Sequence, residues 1–396
     1  MGKLTDICYN TDMYIAILGR QPAIGMAELE RVFGDVTWFT ENAACIQADS
    51  FDITRFGGTL KAGKVIGEQN GDWRQVSERL VKYYSAKWGD FDGKITLGIS
   101  VYGFKIQERD IQKTGIILKQ RLRAKKVSLR LIPNTTTAHN TATSHHNKLG
   151  LSNNKVELLI IRNKAGKVII AESVGAQNIT ALAARDQGRP KRDAFVGMLP
   201  PKLAQIMVNL AAPEDKLTVL DPFCGTGVIL QEAALLGYNV YGTDLSDKMV
   251  DYSKQNLAWL SKTYNTSPNY QIEEGDAMKH TWKQPIDAVV AEGYLGQPFS
   301  APPSPSKLTE VRGNCDHIMS EFLKNIGSQL ASGTPLCIAV PAWRSTDGSF
   351  THLPLVNNLD QLGFTQVTFK NVRTPELLYY REDQVVAREL LVIVKQ

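Results

Sequence analysis

The stretch that most constrains the fold is 217–246, in which two apolar runs enclose a glycine-containing turn and a helical pattern. The first run ends at Asp221, the turn is Cys224-Gly225-Thr226-Gly227, and the second run ends at Asp244. After the turn, apolar residues recur at the spacing of one helical face. The pattern predicts a strand, a tight turn, a helix and a second strand, which together form one parallel βαβ unit.

The glycines and acids of this turn indicate which ligand it holds. A dinucleotide-binding turn has a third glycine at the position where this chain has Leu230. Asp221 repels phosphate and attracts an ammonium group, whereas Asp244 ends the second strand, where a carboxylate can accept both hydroxyls of a ribose. S-adenosylmethionine carries a ribose and a cationic amino-acid end but no phosphate, so it suits this turn better than NAD does. An ordinary turn in another doubly wound domain is the alternative.

Two segments of the chain resemble a known family. Asp221-Pro222-Phe223-Cys224-Gly225-Thr226-Gly227 is similar to the first motif of Rossmann-fold methyltransferases that act on amino groups of nucleic acids. The stretch from Arg185 to Met207 resembles the entry segment of the THUMP-domain tRNA guanine-N2 methyltransferases. The resemblance extends over most of the chain and is weakest near the N-terminus. It implies a tRNA substrate and S-adenosylmethionine as cofactor.

The chain is long enough for two or three domains, since it has 396 residues. We expect a small α+β (ferredoxin-like) domain over 1–55, a THUMP-like RNA-binding domain over 56–175, a linker over 176–199 and a Rossmann-fold domain over 200–396. The last domain is predicted to be a doubly wound α/β fold with seven strands. The apolar runs that predict these strands are 217–223, 239–244, 269–273, 287–291, 335–340, 365–370 and 386–394.

Acidic residues follow the first four of these predicted strands, and a doubly wound sheet binds its ligand at the carboxyl ends of its strands. By the resemblance, Asp244 binds the ribose hydroxyls, Asp276 binds the adenine amino group, and the turn at Gly225 and Gly227 lies along the methionine end. Each acid alone could instead cap a helix or a turn. The full predicted cofactor-binding set is Asp221, Phe223, Gly225, Gly227, Asp244, Leu245, Asp276 and Ala277.

The fourth motif departs from the family pattern. Methyltransferases of this type usually carry Asp-Pro-Pro-Tyr there, whereas this chain has Glu292-Gly293-Tyr294. In the family, the acid or its carbonyl accepts a hydrogen bond from the exocyclic amine, and the aromatic ring stacks on a base taken out of its stack. We therefore predict Glu292 and Tyr294 as catalytic residues. Altered geometry, a different target base, and binding without catalysis are three open explanations of the departure. Trp343 is a further candidate for stacking, or else a packed side chain.

A one-signed stretch of charge predicts the RNA-binding surface. Between Ile111 and Val156 there is no Asp or Glu but there are nine Lys and Arg residues, and such a stretch creates a local positive field. A solvated helix face is the alternative. Arg189, in the basic connector, could carry charge toward a bound RNA. The predicted RNA-binding residues are Lys119, Arg121, Arg123, Lys125, Lys126, Arg130 and Arg189.

Composition excludes other classes of protein. The five cysteines are scattered and never spaced C-x-x-C, which argues for reduced thiols and against zinc. No apolar run approaches the length of a membrane span. These features predict a cytoplasmic protein without a metal or a membrane anchor, and they indicate nothing about protein partners. An adenine-N6 methyltransferase and a non-catalytic RNA-binding protein that retains the cofactor fold are the alternatives to a tRNA guanine-N2 methyltransferase.

Overall fold

The computed structural model describes residues 12–193, 198–211, 218–283 and 285–396. These residues form two compact units, and the chain passes between them several times. The first unit contains the described residues up to Pro22, with Phe33–Thr54 and Thr59–Thr180. The second contains Ala23–Val32, Arg55–Gly58 and the described residues from Ala181 onward. Leu217, expected in the first strand of the Rossmann-fold domain, lies outside the described residues.

The first unit is built on one eight-stranded sheet with the order β2-β3-β1-β4-β8-β7-β5-β6. Helix α1 comes early in the chain, but most of it belongs to the second unit. The elements up to Ala176, with α1 included, are β1 Met13–Leu18, α1 Pro22–Phe33, β2 Val36–Thr40, β3 Ala43–Gln47, β4 Thr59–Asn70, α2 Trp73–Lys87, β5 Lys94–Tyr102, α3 Glu108–Ala124, β6 Ser128–Leu131, α4 Thr141–His146, β7 Lys155–Arg162 and β8 Lys167–Ala176.

Strand β4 joins the two parts of this sheet because it pairs with β1 on one side and with β8 on the other. The ranges 1–55 and 56–175 therefore contribute strands to the same sheet. The division of these ranges into two domains stays a prediction, as do the linker and its bounds. Within the predicted linker, Ile179–Gln187 forms helix α5.

The second unit is built on a sheet whose main path has seven strands in the order β11-β10-β9-β12-β13-β17-β15. The doubly wound α/β fold with seven strands is thus confirmed. Its further elements are α6 Pro201–Ala211, β9 Thr218–Asp221, α7 Val228–Leu235, β10 Asn239–Asp244, α8 Asp247–Tyr264, β11 Tyr270–Glu274, β12 Ala288–Glu292, α9 Pro305–Gly327, β13 Pro335–Arg344, β14 Phe350–Thr351, β15 Phe364–Gln366, β16 Leu378–Tyr379 and β17 Val386–Lys395.

The direction of the last strand matters for the site. Strands β9 to β13 run parallel, but β17 pairs antiparallel with β13, so that Arg388 lies opposite Pro341. Residues near the start of β17 therefore lie at the carboxyl edge of the parallel strands. This is the edge at which a doubly wound sheet binds its ligand.

No helix in the described ranges is both long and apolar enough to cross a membrane.

Candidate active site

The glycine turn after β9 has the backbone conformation that its sequence predicts. Gly225 and Gly227 have φ angles of 51° and 79°, in the left-handed region that side chains disfavour. A Cβ on Gly227 would lie 2.8 Å from Oγ of Ser253. The Ser253 hydroxyl in turn donates to the carbonyl oxygen of Gly225 at 2.8 Å, so α8 packs directly against the turn and fixes it.

The carboxylate of Asp244 connects the turn to the end of β10. One of its oxygens accepts the N–H of Gly225 and the other accepts the N–H of Ser246, each at 2.9 Å. A Cβ added to Gly225 would meet no atom closer than the carbonyl oxygen of Phe223, at 3.9 Å. The Asp244 carboxylate fits the ribose of S-adenosylmethionine, because each oxygen keeps a lone pair for a hydroxyl.

Asp221 is more deeply buried than a ligand-binding acid need be. Its side chain is 1% exposed and accepts the N–H of Phe223 at 3.1 Å. Burial raises the pKa of the Asp221 carboxyl well above its usual range, and the nearby carboxylates of Asp244 and Glu292 raise it further. A cation placed among these three acids favours their ionised forms, and the cationic end of S-adenosylmethionine supplies such a charge.

The predicted adenine side of the site is formed by the ends of β10 and β11, which are adjacent. Leu245 exposes 71% of its surface, so its apolar side chain offers a face for a flat ring. The Asp276 carboxylate accepts the N–H of Met278 at 3.1 Å and pairs with Lys279 at 3.3 Å. Ala277 is buried, and its carbonyl oxygen accepts the Asn325 amide at 3.0 Å.

The acid of the fourth motif, Glu292, ends β12 and forms an ion pair with Arg388 of β17. The guanidinium Nε donates to Oε1 of the carboxylate, and the two side chains are 10% and 16% exposed for Arg388 and Glu292. Burial raises the pKa of the Glu292 carboxyl, whereas the Arg388 guanidinium opposes that rise. In the part of the chain that the structure describes, Oε2 of Glu292 has no hydrogen-bond partner, and it is not among the fully buried polar atoms. It is the free acceptor of this site.

The two candidate stacking residues differ sharply in exposure. Tyr294, two positions after Glu292, is 47% exposed and follows the carboxyl end of β12. Trp343 is 2% exposed and belongs to the core of the second unit. Trp343 is therefore a packed side chain, because its position near the end of β13 turns the ring inward.

The six predicted RNA-binding residues of the first unit are all exposed on α3, on β6 or between them. Among the described residues, none of the six is paired with an acid. Arg189 differs, since its side chain is 3% exposed and its Nη2 donates to Sδ of Met198 at 3.1 Å. Packing therefore encloses the guanidinium in this structure, and the contact of Arg189 with RNA stays a prediction. The remaining six are Lys119, Arg121, Arg123, Lys125, Lys126 and Arg130.

Arg388 is the residue of this site that the sequence did not reveal. It lies 96 positions after Glu292 in an apolar strand. A charged residue in such a strand is ordinarily predicted to be exposed at the surface. The absence of the two prolines that the family motif has after its acid is the sequence signal that points to such a partner, because a looser turn requires another group to hold the carboxylate.

The strand order, the glycine turn and the acids at consecutive strand ends define a Rossmann-fold methyltransferase that uses S-adenosylmethionine. A family model described as an RMKL-like methyltransferase domain matches residues 189–344. A second model, described as a DNA methylase, matches residues 37–255, which is more than half of the chain. The chain belongs to the family of nucleic-acid amino-methyltransferases that these models describe. The resemblance to the tRNA guanine-N2 methyltransferases is confirmed by relatives that carry this name.

Curated relatives and a solved structure agree with this family. A tRNA (guanine(10)-N2)-dimethyltransferase from Methanothermobacter thermautotrophicus is 33% identical over 158 residues, which cover 39% of this chain and 43% of that protein. A probable enzyme of the same name from Methanothermococcus thermolithotrophicus is 42% identical over 132 residues, covering 33% and 73% respectively. The match thus spans less than half of the first relative. The crystal structure of TrmN from Thermus thermophilus has the same fold, with a TM-score of 0.54 and 15% identity over 97% of this chain and 100% of that chain.

Proposed function

We propose that this protein methylates the exocyclic N2 amine of a guanine in tRNA. The observation that carries the proposal is the pair formed by Glu292 and Tyr294 at the end of β12, one carboxylate oxygen free and one aromatic ring exposed. The carboxylate can hold the amine and the ring can stack on the base. Both lie at the end of β12, which is the neighbour of β9, the strand that leads into the glycine turn. The names of the matched relatives support guanine N2 as the acceptor.

The chemistry explains why the acceptor is needed. The amino nitrogen of guanine is conjugated with its ring and is a poor nucleophile. Oε2 of Glu292 accepts one N–H of this amine, which directs the nitrogen lone pair out of the ring plane. When bound, S-adenosylmethionine would supply the methyl group, with its carbon–sulfur bond broken as the nitrogen–carbon bond forms. The nitrogen then loses one proton to Glu292 or to water. Positioning of this kind supplies most of the acceleration.

Residues of three strand ends would hold the cofactor. Asp244 takes the ribose hydroxyls, the turn at Gly225 and Gly227 lies along the methionine end, and Leu245 and Asp276 flank the adenine. This assignment is supported by the two hydrogen bonds that hold the Asp244 carboxylate beside the turn and by the exposed Leu245 side chain. It makes the cofactor site and the proposed amine acceptor neighbours at one sheet edge.

The basic surface of α3 and β6 is proposed to hold the RNA. Its six exposed cations lack acidic partners among the described residues, so their charge is available to phosphates. A tRNA substrate would place the reaction in the cytoplasm. Methylation of an adenine N6 amine is the second candidate, favoured by the match to the DNA methylase model.

Methyl transfer to bulk tRNA tests the proposal directly. Purified protein is incubated with labelled S-adenosylmethionine, and the product is digested to nucleosides. We expect the label in a methylguanosine and expect Glu292→Gln to lose it, because an amide is a weaker acceptor and cannot take the proton. Label in a methyladenosine would establish the second candidate. Binding of cofactor and RNA without transfer, across a panel of RNAs, would establish a binding protein instead.

A further inference from the structure

We infer that Arg388 is a positioning residue for the methyl-transfer reaction, which holds the Glu292 carboxylate so that one of its oxygens faces the target amine. The inference rests on the proposed function. Glu292 has one methylene group more than the Asp of the family motif, and no proline follows it. The inference explains what holds its carboxylate in one position.

Glu292 needs such a restraint. Relative to Asp, it has one further rotatable bond, and fixing a free side chain of this length costs conformational entropy. A Pro-Pro turn would stiffen the backbone after the acid, but here Gly293 and Tyr294 follow. The N–H of Gly293 donates to the carbonyl oxygen of Ala339 at 2.9 Å, which fixes the backbone and leaves the side chain unrestrained.

The sheet geometry lets an arginine supply the restraint from two strands away. Glu292 is paired with Ala339 of β13, and Arg388 is paired with Pro341 of the same strand. Paired residues of neighbouring strands share a face of the sheet, so Ala339 and Pro341 lie beneath the bridge. Strands β12 and β17 are about 10 Å apart, with β13 between them. The compact side chains of Ala339 and Pro341 leave room for the long arginine side chain to cross β13.

The neighbouring residues on β17 do not compete for this role. Glu389 points to the opposite face, as successive residues of a strand do, and its carboxylate binds Nδ1 of His352 at 2.7 Å. The charged groups that act at the Glu292 site are Arg388 and the buried Asp221. Arg388 is thus the cation that opposes the effect of burial on the pKa of the Glu292 carboxyl.

One guanidinium nitrogen is sufficient for the ion pair, and this has a chemical consequence. Nε of Arg388 engages Oε1 only, so Oε2 keeps its lone pairs for the amine. The Arg388 guanidinium also favours the ionised form of Glu292 against the effect of burial on the pKa of its carboxyl, and the ionised form is the one that can later take a proton. Loss of the arginine would therefore alter both the geometry and the titration of the acceptor.

The test compares Arg388→Met and Arg388→Lys with the wild type in methyl transfer as a function of pH. We expect R388M to lower kcat by at least about tenfold while the affinity for S-adenosylmethionine stays within about twofold. The acid limb of its rate profile should move upward by about one pH unit, because an unpaired buried carboxyl protonates more readily. R388K, which keeps the charge, should restore much of the position of this limb.

Arg185→Met is the matched control, since Arg185 pairs with Glu232 in the same unit and is equally shielded, with 10% side-chain exposure. It should lower the unfolding midpoint without moving the acid limb. An active wild type whose acid limb and kcat are unchanged in R388M would overturn the inference. So would R185M moving the limb as far as R388M does. A wild type that binds cofactor and RNA but transfers no methyl group would overturn the proposed function itself, and the inference with it.

Discussion

The backbone N–H of Gly225 lies 2.9 Å from Oδ2 of Asp244 and donates a hydrogen bond to it. This bond connects the turn after the first strand of the Rossmann sheet to the acid after the second. The carboxylate therefore has two tasks in our proposal, since it fixes the turn and binds the ribose. Its removal should weaken binding of both the ribose and the methionine end of the cofactor.

Asp244→Ala should abolish measurable cofactor binding while RNA affinity changes little. The substitution removes the charged acceptor of the two hydrogen bonds that the ribose hydroxyls are proposed to donate, each contributing about 1.5–3 kcal/mol, so we expect a loss of at least about a hundredfold. Isothermal titration with S-adenosylmethionine measures it. Asp251→Ala, an exposed acid of α8, serves as the control and should bind normally. Unchanged cofactor affinity in D244A would refute the assignment of this site.

How far the sequence predicted this site depends on the distance between the residues involved. Asp221, Gly225 and Asp244 were predicted because they lie within a single βαβ unit, where local spacing determines which side chains meet. The pairing of Glu292 with Arg388 joins two strands that are remote in the chain, so no local pattern contains it. It became visible only when the order β12-β13-β17 was known.

Burial was the other property that local sequence predicted poorly. Arg189 belongs to a polar connector whose composition favours solvent exposure, yet the structure encloses it. Lys61 likewise lies within the sheet of the first unit, where its ammonium group pairs with the buried Glu157 and donates to the carbonyl oxygen of His139 at 2.7 Å. A charged residue within an apolar strand is buried only where a partner from another strand meets it, and sequence spacing does not show that partner.

Tyr294→Ala should lower the rate of methyl transfer while cofactor affinity is unchanged. The exposed ring is proposed to stack on the target base, and stacking of this kind contributes about 1–3 kcal/mol. We therefore expect kcat/KM for tRNA to fall by roughly tenfold to a hundredfold. Tyr294→Phe keeps the ring and should retain most of the activity. Equal losses in both variants would assign the function of Tyr294 to its hydroxyl instead of its ring.

Replacing Arg121, Arg123 and Lys126 together by Glu should weaken tRNA binding and reduce its dependence on salt. If all three contact phosphates, the slope of log K against log salt should fall by up to about 3. Binding titrations across a range of salt concentrations measure this slope.

A control with the same change of charge separates a local from a general effect. Arg74, Lys82 and Lys164 are exposed residues of the same unit but lie outside α3 and β6. Their replacement by Glu should leave most of the salt slope in place. A slope that is unaltered in the first triple variant would remove the basic surface from the RNA interface.

The burial of Glu28 in the second unit predicts that the free energy of unfolding depends on pH. This carboxylate of α1 is fully buried and accepts the N–H groups of Gly57 and Gly58 at 2.9 and 2.8 Å and the Asn209 amide at 2.8 Å. Burial raises the pKa of Glu28 from 4.5 to about 7, although the three donors oppose the rise. The folded state thus binds the proton more tightly than the unfolded state does.

The sign of the effect follows from this difference. Because the folded-state pKa is the higher one, the contribution of Glu28 to stability is fully present below pH 4.5 and is lost as the pH rises to about 7. The loss amounts to about 3 kcal/mol over that interval. Glu28→Gln removes the titrating group and costs one acceptor, so it should be less stable than the wild type at low pH, and this deficit should shrink by about that amount at neutral pH. Denaturant unfolding of the full chain at several pH values measures it. Glu310→Gln, at an exposed ion pair of the same unit, should show no such trend, and a deficit in E28Q that is constant with pH would mean that the pKa of Glu28 is the same in the folded and unfolded states.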